Sequence, residues 1–335
     1  MTVSDENLAA ALRACVAAAA FDPAVALTAA LRSAGRSAFH DVPPSGSAGR
    51  EISRTTLLYA ASLSKQVVGV CFALVTRAGL VSPADNLARW FPQLPEWAAG
   101  VQLGQLLTHT GALPEESALL ERMRAQGETA RTTRGMIAAL HGFEALNETP
   151  GTSYSYSNIG YVCLARIVEL ASAESLVDFA NRRIFEPLGM DNTRFWPGPD
   201  SFPAGAAPVD PEPIVGLPFS LGDGGLWTTT VDFLRWCDAM NRDELGVAGL
   251  VQQTGALNDG TPLDYAWGLR KIDHNGYTGW SHGGSWPGIF AKSVRFPELQ
   301  ASFVAFTLDT DIDPILRLTD RVQDMLCDSS SLLHS

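Results

Sequence analysis

Ser62-Leu63-Ser64-Lys65, with the apolar run Val67 to Val75 directly behind it, is the stretch on which the reading of this chain turns. The run is apolar almost all round, which predicts a helix buried inside the molecule rather than lying on its surface. Gly79 supplies a helix-ending glycine and Pro83 prevents resumption. At the helix entrance Ser62 and Lys65 stand three residues apart, so their side chains share one face. Of 24 basic residues only three are lysine. Arginine cannot give up its proton, whereas a lysine in a desolvated pocket can be shifted toward neutrality. A serine one turn from such a lysine is the pattern of an activated nucleophile. The plainer alternative, a capping serine and a surface charge, is left open by these four residues alone.

Working outward, an Ala-rich helix near the N-terminus is followed by two β-like runs, Ala24 to Leu31 and Ser37 to Val42, and a loop from Pro43 to Gly49. Between about 80 and 190 the pattern is mostly helical, clearest at 103–107, 136–140, 159–171 and 176–185. Residues 196–218 hold seven prolines and little periodicity, which predicts a long loop. Tyr265 to Ile272 and Tyr277 to Ser281 alternate across Asn275-Gly276, a type I′ hairpin signal. A second strand pair follows at 289–296 and 301–308, and Asp313-Pro314 opens a last helix to about Leu326. Strands at both ends with helices between predict an α/β (α+β) fold. Its expected parts are a discontinuous α/β domain (1–60 and 255–335), an antiparallel sheet flanked by terminal helices, and a mostly helical 61–254 insert with the active site between them.

Apolar residues make up 46% and charged residues 18% of the 335, enough for a large core. A net charge of −12 without a basic block argues against nucleic acid and anionic membrane as partners. Five scattered cysteines read as reduced core residues, and the apolar run at Ala9 to Ala20, lacking a basic lead-in, reads as a surface helix. Both point to the cytoplasm. The dispersed histidines offer no metal cluster, and no metal or cofactor is expected. There is no Gly-x-Ser-x-Gly elbow of the kind an α/β-hydrolase needs.

Two further motifs carry chemistry. Tyr156-Ser157-Asn158 lies between the Pro150-Gly151 turn and a helix starting near Ile159. In extended backbone Tyr156 and Asn158 point the same way, while Ser157 or Asn158 caps the helix. A His-x-Gly element occurs three times. His109 ends a helical run and His274 sits in a hairpin turn, so only His282-Gly283-Gly284, at the end of one strand with another beyond, suits a cleft edge.

Taken in the order Ser62, Tyr156, His282, this set resembles the serine β-lactamase and penicillin-binding-protein superfamily, nearest its class C and esterase-like branch. The likeness extends over Leu106-Leu107-Thr108-His109-Thr110, Pro150-Gly151-Thr152, Pro187-Leu188-Gly189-Met190 and Gly222-Asp223-Gly224-Gly225-Leu226. It implies Ser62 as nucleophile, Lys65 and Tyr156 as its proton-transfer partners, and Asn158, His282, Gly284, Ser285 and Trp286 as substrate-binding residues. The backbone N–H groups of Ser62 and Ser285 are implied as the oxyanion hole. Glu115, Trp227, Trp286 and the 196–218 loop are candidates for shaping the pocket. The implied reaction is hydrolysis of a small-molecule ester or amide through an acyl-enzyme. The alternatives are an acyltransferase, a D-aminopeptidase or β-lactamase, and a non-catalytic penicillin-binding-like sensor. Many members carry lysine where His282 stands, so a cleft short of fixed positive charge is expected, favouring neutral or amine-bearing substrates.

Overall fold

A computed structural model describes residues 5–45, 50–198, 201–211 and 216–328. Parts of the two expected loops, 46–49, 199–200 and 212–215, lie outside the described residues. The fold is mixed α and β around one six-stranded antiparallel sheet. Its strands are β1 (Leu27–Ser33), β2 (Arg36–Val42), β3 (Arg270–His274), β4 (Tyr277–Trp286), β5 (Ile289–Phe296) and β6 (Ala301–Thr307), in the order β2-β1-β6-β5-β4-β3. The two ends of the chain therefore meet in one sheet, with β1 paired to β6 from Leu27↔Thr307 to Arg32↔Ser302. Among the described residues no helix is long and apolar enough to cross a membrane.

Every residue of β6 is buried, because the sheet is covered on both faces. Alternate side chains serve different cores. Ala29, Leu31, Phe303 and Ala305 pack with Leu8 and Leu12 of α1 (Asp5–Ala19) and with Leu318 and Val322 of the C-terminal helix. Ala30, Val304 and Phe306 join the larger core on the opposite face, which contains Val67, Val68, Cys71 and Phe72 of α2 (Ser64–Arg77). Helices α3 (Asn158–Ser172) and α4 (Thr230–Asn241) belong to that core too, with Phe233 of α4 edge-on to Phe306 at 6.5 Å. The C-terminal helix, α5, spans Asp313–Cys327.

One expectation is corrected, and one is refined. The strand read from Tyr265 begins only at Arg270, and residues 265–269 instead form a tight turn closed by Ala266 N–H to the Leu269 carbonyl at 2.7 Å. Gly268 makes that turn possible: its φ is +81°, and a Cβ there would lie 2.2 Å from the Lys65 carbonyl oxygen. The helical run 176–185 divides into an α segment, Leu176–Ala180, and one π turn, Asn181–Phe185. The type I′ hairpin stands where Asn275-Gly276 marks it, with both residues at positive φ and His274 paired to Tyr277.

Phe306→Ala should remove the edge contact with Phe233 and leave a cavity between sheet and α4. A loss of about 3–5 kcal/mol in a denaturant titration is expected.

Candidate active site

Ser62 occupies a single 3-10 turn, Ala61–Leu63, that runs directly into α2. Ala61 holds φ +46°, a left-handed conformation that costs a residue with a Cβ about 1–2 kcal/mol. Tertiary packing imposes it, since β4 presses on this turn. A Cβ on Gly284 would meet the Ala60 carbonyl oxygen at 2.4 Å, so only glycine lets the strand approach the Ser62 turn so closely.

One turn further on, Lys65 is fully buried. Its amine donates to Ser62 Oγ at 2.9 Å, Asn158 Oδ1 at 2.7 Å and the Asp223 carbonyl at 2.9 Å, which uses all three of its protons. Burial lowers its pKa to about 7. The carboxylates of Asp223 and Glu116 oppose that shift and Arg131 adds to it. The charged groups close into a ring. Asn158 donates to Glu116, Glu116 pairs with Arg131, and Arg131 binds the Asp223 carboxylate at 2.6 Å, while the Asp223 carbonyl returns to Lys65.

Tyr156 lines the same cavity as Ser62 and lies against Lys65, whose amine is 5.0 Å from the ring centroid. The residue is 42% exposed. Burial raises its pKa above the ordinary tyrosine value, so the phenol keeps its proton at neutral pH. Ser157 caps α3 through its hydroxyl to Gly160 N–H. Beneath the segment His109 accepts the Ser157 N–H on Nδ1 at 3.0 Å, and its carbonyl accepts the Ser155 N–H at 2.8 Å. Its ring stacks between Tyr156 and Tyr265, with centroids at 4.3 and 4.4 Å. His109 therefore fixes the segment that carries Tyr156, a role beyond the helix ending expected of it.

His282 is also in the cleft wall, but it is 7% exposed and uncharged, with burial the largest cause of a pKa lowered to about 3. Nδ1 donates to the Gly283 carbonyl at 2.6 Å, so Nε2 accepts the Tyr265 hydroxyl at 2.8 Å. The expected shortage of positive charge is corrected elsewhere, because Arg270 and Lys292 line the same cavity. That cavity, of about 420 Å³, reaches from Ser62, Tyr156 and Asn158 along β4 to the start of α5. A second, of about 220 Å³, lies on the other side of Ser62 against Tyr59, Arg131 and Trp286. Ser62, Asn158, Gly284, Ser285 and Trp286 thus all border the cleft.

Among the other candidates, Trp227 is core, tilted against Tyr59 and Phe202, and it does not face the cleft. Glu115 is exposed, and the adjacent Glu116 is the residue that enters the ring. The 196–218 loop reaches the site through Asp210, whose carbonyl accepts the Trp286 indole N–H at 2.8 Å. Sequence reasoning missed Glu116 and Arg131 as site residues. A lone arginine in a two-residue strand between helices carries no local signal of its partners. Among the described residues no group of three or more His, Cys, Asp or Glu is placed to hold a metal ion.

With three lysines in the chain, ε-¹³C-lysine NMR resolves each one. The Lys65 signal should titrate near pH 7, and Glu116→Gln should move that midpoint downward, because it removes a charge that favours the ammonium form.

Comparison with known proteins places this geometry in a family. The profile of the beta-lactamase family matches residues 21–312. The penicillin-binding protein 4* of Bacillus subtilis is 29% identical over 275 residues, covering 74% of this chain and 59% of that protein. A D-aminopeptidase of Cereibacter sphaeroides is 27% identical over 272 residues, covering 76% and 51%. The chain thus spans between half and three-fifths of the length of these curated relatives. Among solved structures, the D-amino acid amidase of Ochrobactrum anthropi SV3 complexed with L-phenylalanine amide superposes with a TM-score of 0.74 at 20% identity, covering 93% of this chain and 99% of that one. At that identity the likeness is one of fold. The match over residues 21–312 decides membership: this chain belongs to the beta-lactamase family.

Proposed function

We propose that the protein is a serine hydrolase that cleaves an ester or amide through an acyl-enzyme on Ser62. The observation that carries this reading is the Lys65 amine, fully buried, 2.9 Å from Ser62 Oγ and with a pKa lowered to about 7. Near neutral pH a large fraction of it is unprotonated and able to accept the Ser62 proton as Oγ attacks the carbonyl carbon. The N–H groups of Ser62 and Ser285 then receive the oxyanion. Gly284 supports that placement by bringing β4 against the nucleophile turn, so that both serines border both cavities.

Tyr156 keeps its proton and acts as the acid. As the carbonyl re-forms and the bond to the leaving group breaks, the phenol protonates that group, and the proton held on Lys65 restores the phenol. Water then attacks the ester on Ser62 in the reverse sense, releasing the acid and free Ser62. Lys65 and Tyr156 work as a coupled pair, and Asn158 holds the amine in line through its amide oxygen. Substrate backbone has a place to pair. β3 covers β4 only from Tyr277 to Ser281, and among the described strands the 282–286 stretch beside Ser62 pairs with β5 alone.

The small amides named for the relatives, a D-aminopeptidase and a D-amino acid amidase, support an amide or ester of modest size as substrate. Five unbridged cysteines, four of them buried, support a reducing compartment such as the cytoplasm.

A fluorophosphonate probe should add once per chain, on Ser62, and Ser62→Ala should abolish both labelling and turnover of p-nitrophenyl esters. Transfer of the label to any other residue would sink the assignment. The kcat/KM profile should rise through about pH 7 as Lys65 loses its proton. Lys65→Arg should remove that limb together with activity, since guanidinium does not deprotonate. Tyr156→Phe should cost about 10²–10⁴ in kcat, with the greater loss on amides, whose leaving groups need a proton more.

A further inference from the structure

Two arginines stand in one row across the sheet beneath α4. Arg32 on β1 and Arg295 on β5 are both opposite Ser302 of β6, and Arg295 is also opposite Trp280 of β4. Residues directly opposite one another project from the same face, here the face of Ala30 and Val304 that α4 covers. Only Arg32 has a carboxylate, with its Nε 3.1 Å from Asp238 Oδ1. Arg295 is 1% exposed, and its guanidinium reaches the Asn241 amide oxygen through Nη1 in a long contact of 3.5 Å. Among the described residues its Nε and Nη2 have no hydrogen-bond partner.

Those two nitrogens share an edge of the guanidinium. Nε–H and one N–H of Nη2 point the same way, forming the fork that grips an anion from the side. Burial lowers the pKa of Arg295 to about 10, which still leaves the group charged at neutral pH. A charge and a whole donor fork are thus enclosed together, an arrangement that is costly without an opposite charge.

The nearby anionic groups are engaged elsewhere. Asp238 gives Oδ1 to Arg32 and Oδ2 to Arg242. The Asp243 carboxylate accepts the Val247 and Ala248 N–H groups, each at 2.8 Å. The Cys237 thiol is pushed up to about 12 by burial and stays neutral. The C-terminal end of α4 brings partial negative charge. Its Asn241 carbonyl, however, accepts from Gln300, and the Asn241 amide nitrogen donates to the Ala301 carbonyl and Ser302 Oγ.

From this we infer that Arg295 holds a small monovalent anion, chloride by size and charge, in the fork of Nε and Nη2 between the sheet and the end of α4. Enclosure sets the size, because a guanidinium closed off from solvent has no route out for the body of a larger acid. Charge sets the sign. A water in the same fork would satisfy the donors and leave the charge uncompensated. The place is separate from the cleft: Phe290 and Ala291 of β5 line the larger cavity, and Arg295 lies four residues past Ala291, about 13 Å of strand. The anion therefore acts on the stability of the fold and not on the chemistry at Ser62.

The test is the thermal midpoint of the full chain in mixtures of sodium chloride and sodium gluconate at constant ionic strength, which keeps general screening unchanged. Gluconate is too large for the fork. One chloride bound only by the folded state should raise the midpoint by about 2 °C for each tenfold rise in chloride above its dissociation constant. Arg295→Met should abolish that slope, since it removes charge and fork while leaving an unbranched side chain in the core. Crystals of the unaltered chain soaked in sodium bromide give a second readout that needs no variant to fold. An anomalous peak within hydrogen-bond reach of Nε and Nη2 supports the site. A midpoint indifferent to chloride, a slope that survives in Arg295→Met, or water where the bromide peak should stand overturns it.

Discussion

The Lys65 amine sits where water cannot reach it, and the protein replaces that water with three acceptors: Ser62 Oγ, the Asn158 amide oxygen and the Asp223 carbonyl. Desolvation still wins, because a pKa of about 7 in place of 10.5 corresponds to roughly 5 kcal/mol against the charged form. Without Glu116 and Asp223 the balance would fall further toward the neutral amine. Without Arg131 those carboxylates would be unpaired and would pull it back. The ring through residues 65, 158, 116, 131 and 223 therefore sets the protonation balance of the Lys65 amine beside Ser62. Its members come from five separate segments, which makes the site a property of the assembled core.

The sheet contributes position rather than charge. It is covered on both faces by helices, and the contact of Gly284 with Ala60 fixes how near β4 can come to the Ser62 turn. Strain at Ala61 is tolerated because α2 and β4 over-determine the backbone there. The early end of β3 leaves residues 282–286 open on one side, so the strand edge, Ser62 and the two cavities face one another. On the far side of Tyr156, His109 serves as a neutral floor, held uncharged by burial and by the nearby Lys65 charge.

Much of this was legible in the chain. The buried helix behind Ser62, the Asn275-Gly276 hairpin and the pairing of strands from both ends follow from local signals, while the approach of Tyr156 and Asn158 to Lys65 was implied by the family resemblance. Apolar periodicity, turn chemistry and short motifs survive folding unchanged. The failures share one cause. Glu115 and Glu116 are indistinguishable in sequence, and only the orientation of the helix from Glu116 to Ala125 decides which carboxylate turns inward. Trp227 looked like a cleft aromatic, and the short strand Leu226–Thr228 placed it in the core. The turn at 265–269 was hidden because Tyr265 and Leu269 continue a strand-like alternation that Gly268 interrupts.

By itself the sequence determined the fold class, and through the family resemblance of its short motifs it pointed to Ser62, Lys65 and Tyr156 as the trio proposed to react. The tertiary structure decided the electrostatics. Whether Lys65 is desolvated, whether His282 is charged, and where Arg270 and Lys292 direct their charge depend on groups distant in sequence. Coulombic and desolvation energies follow distance in space and access of water, neither of which is written in the order of residues along a chain.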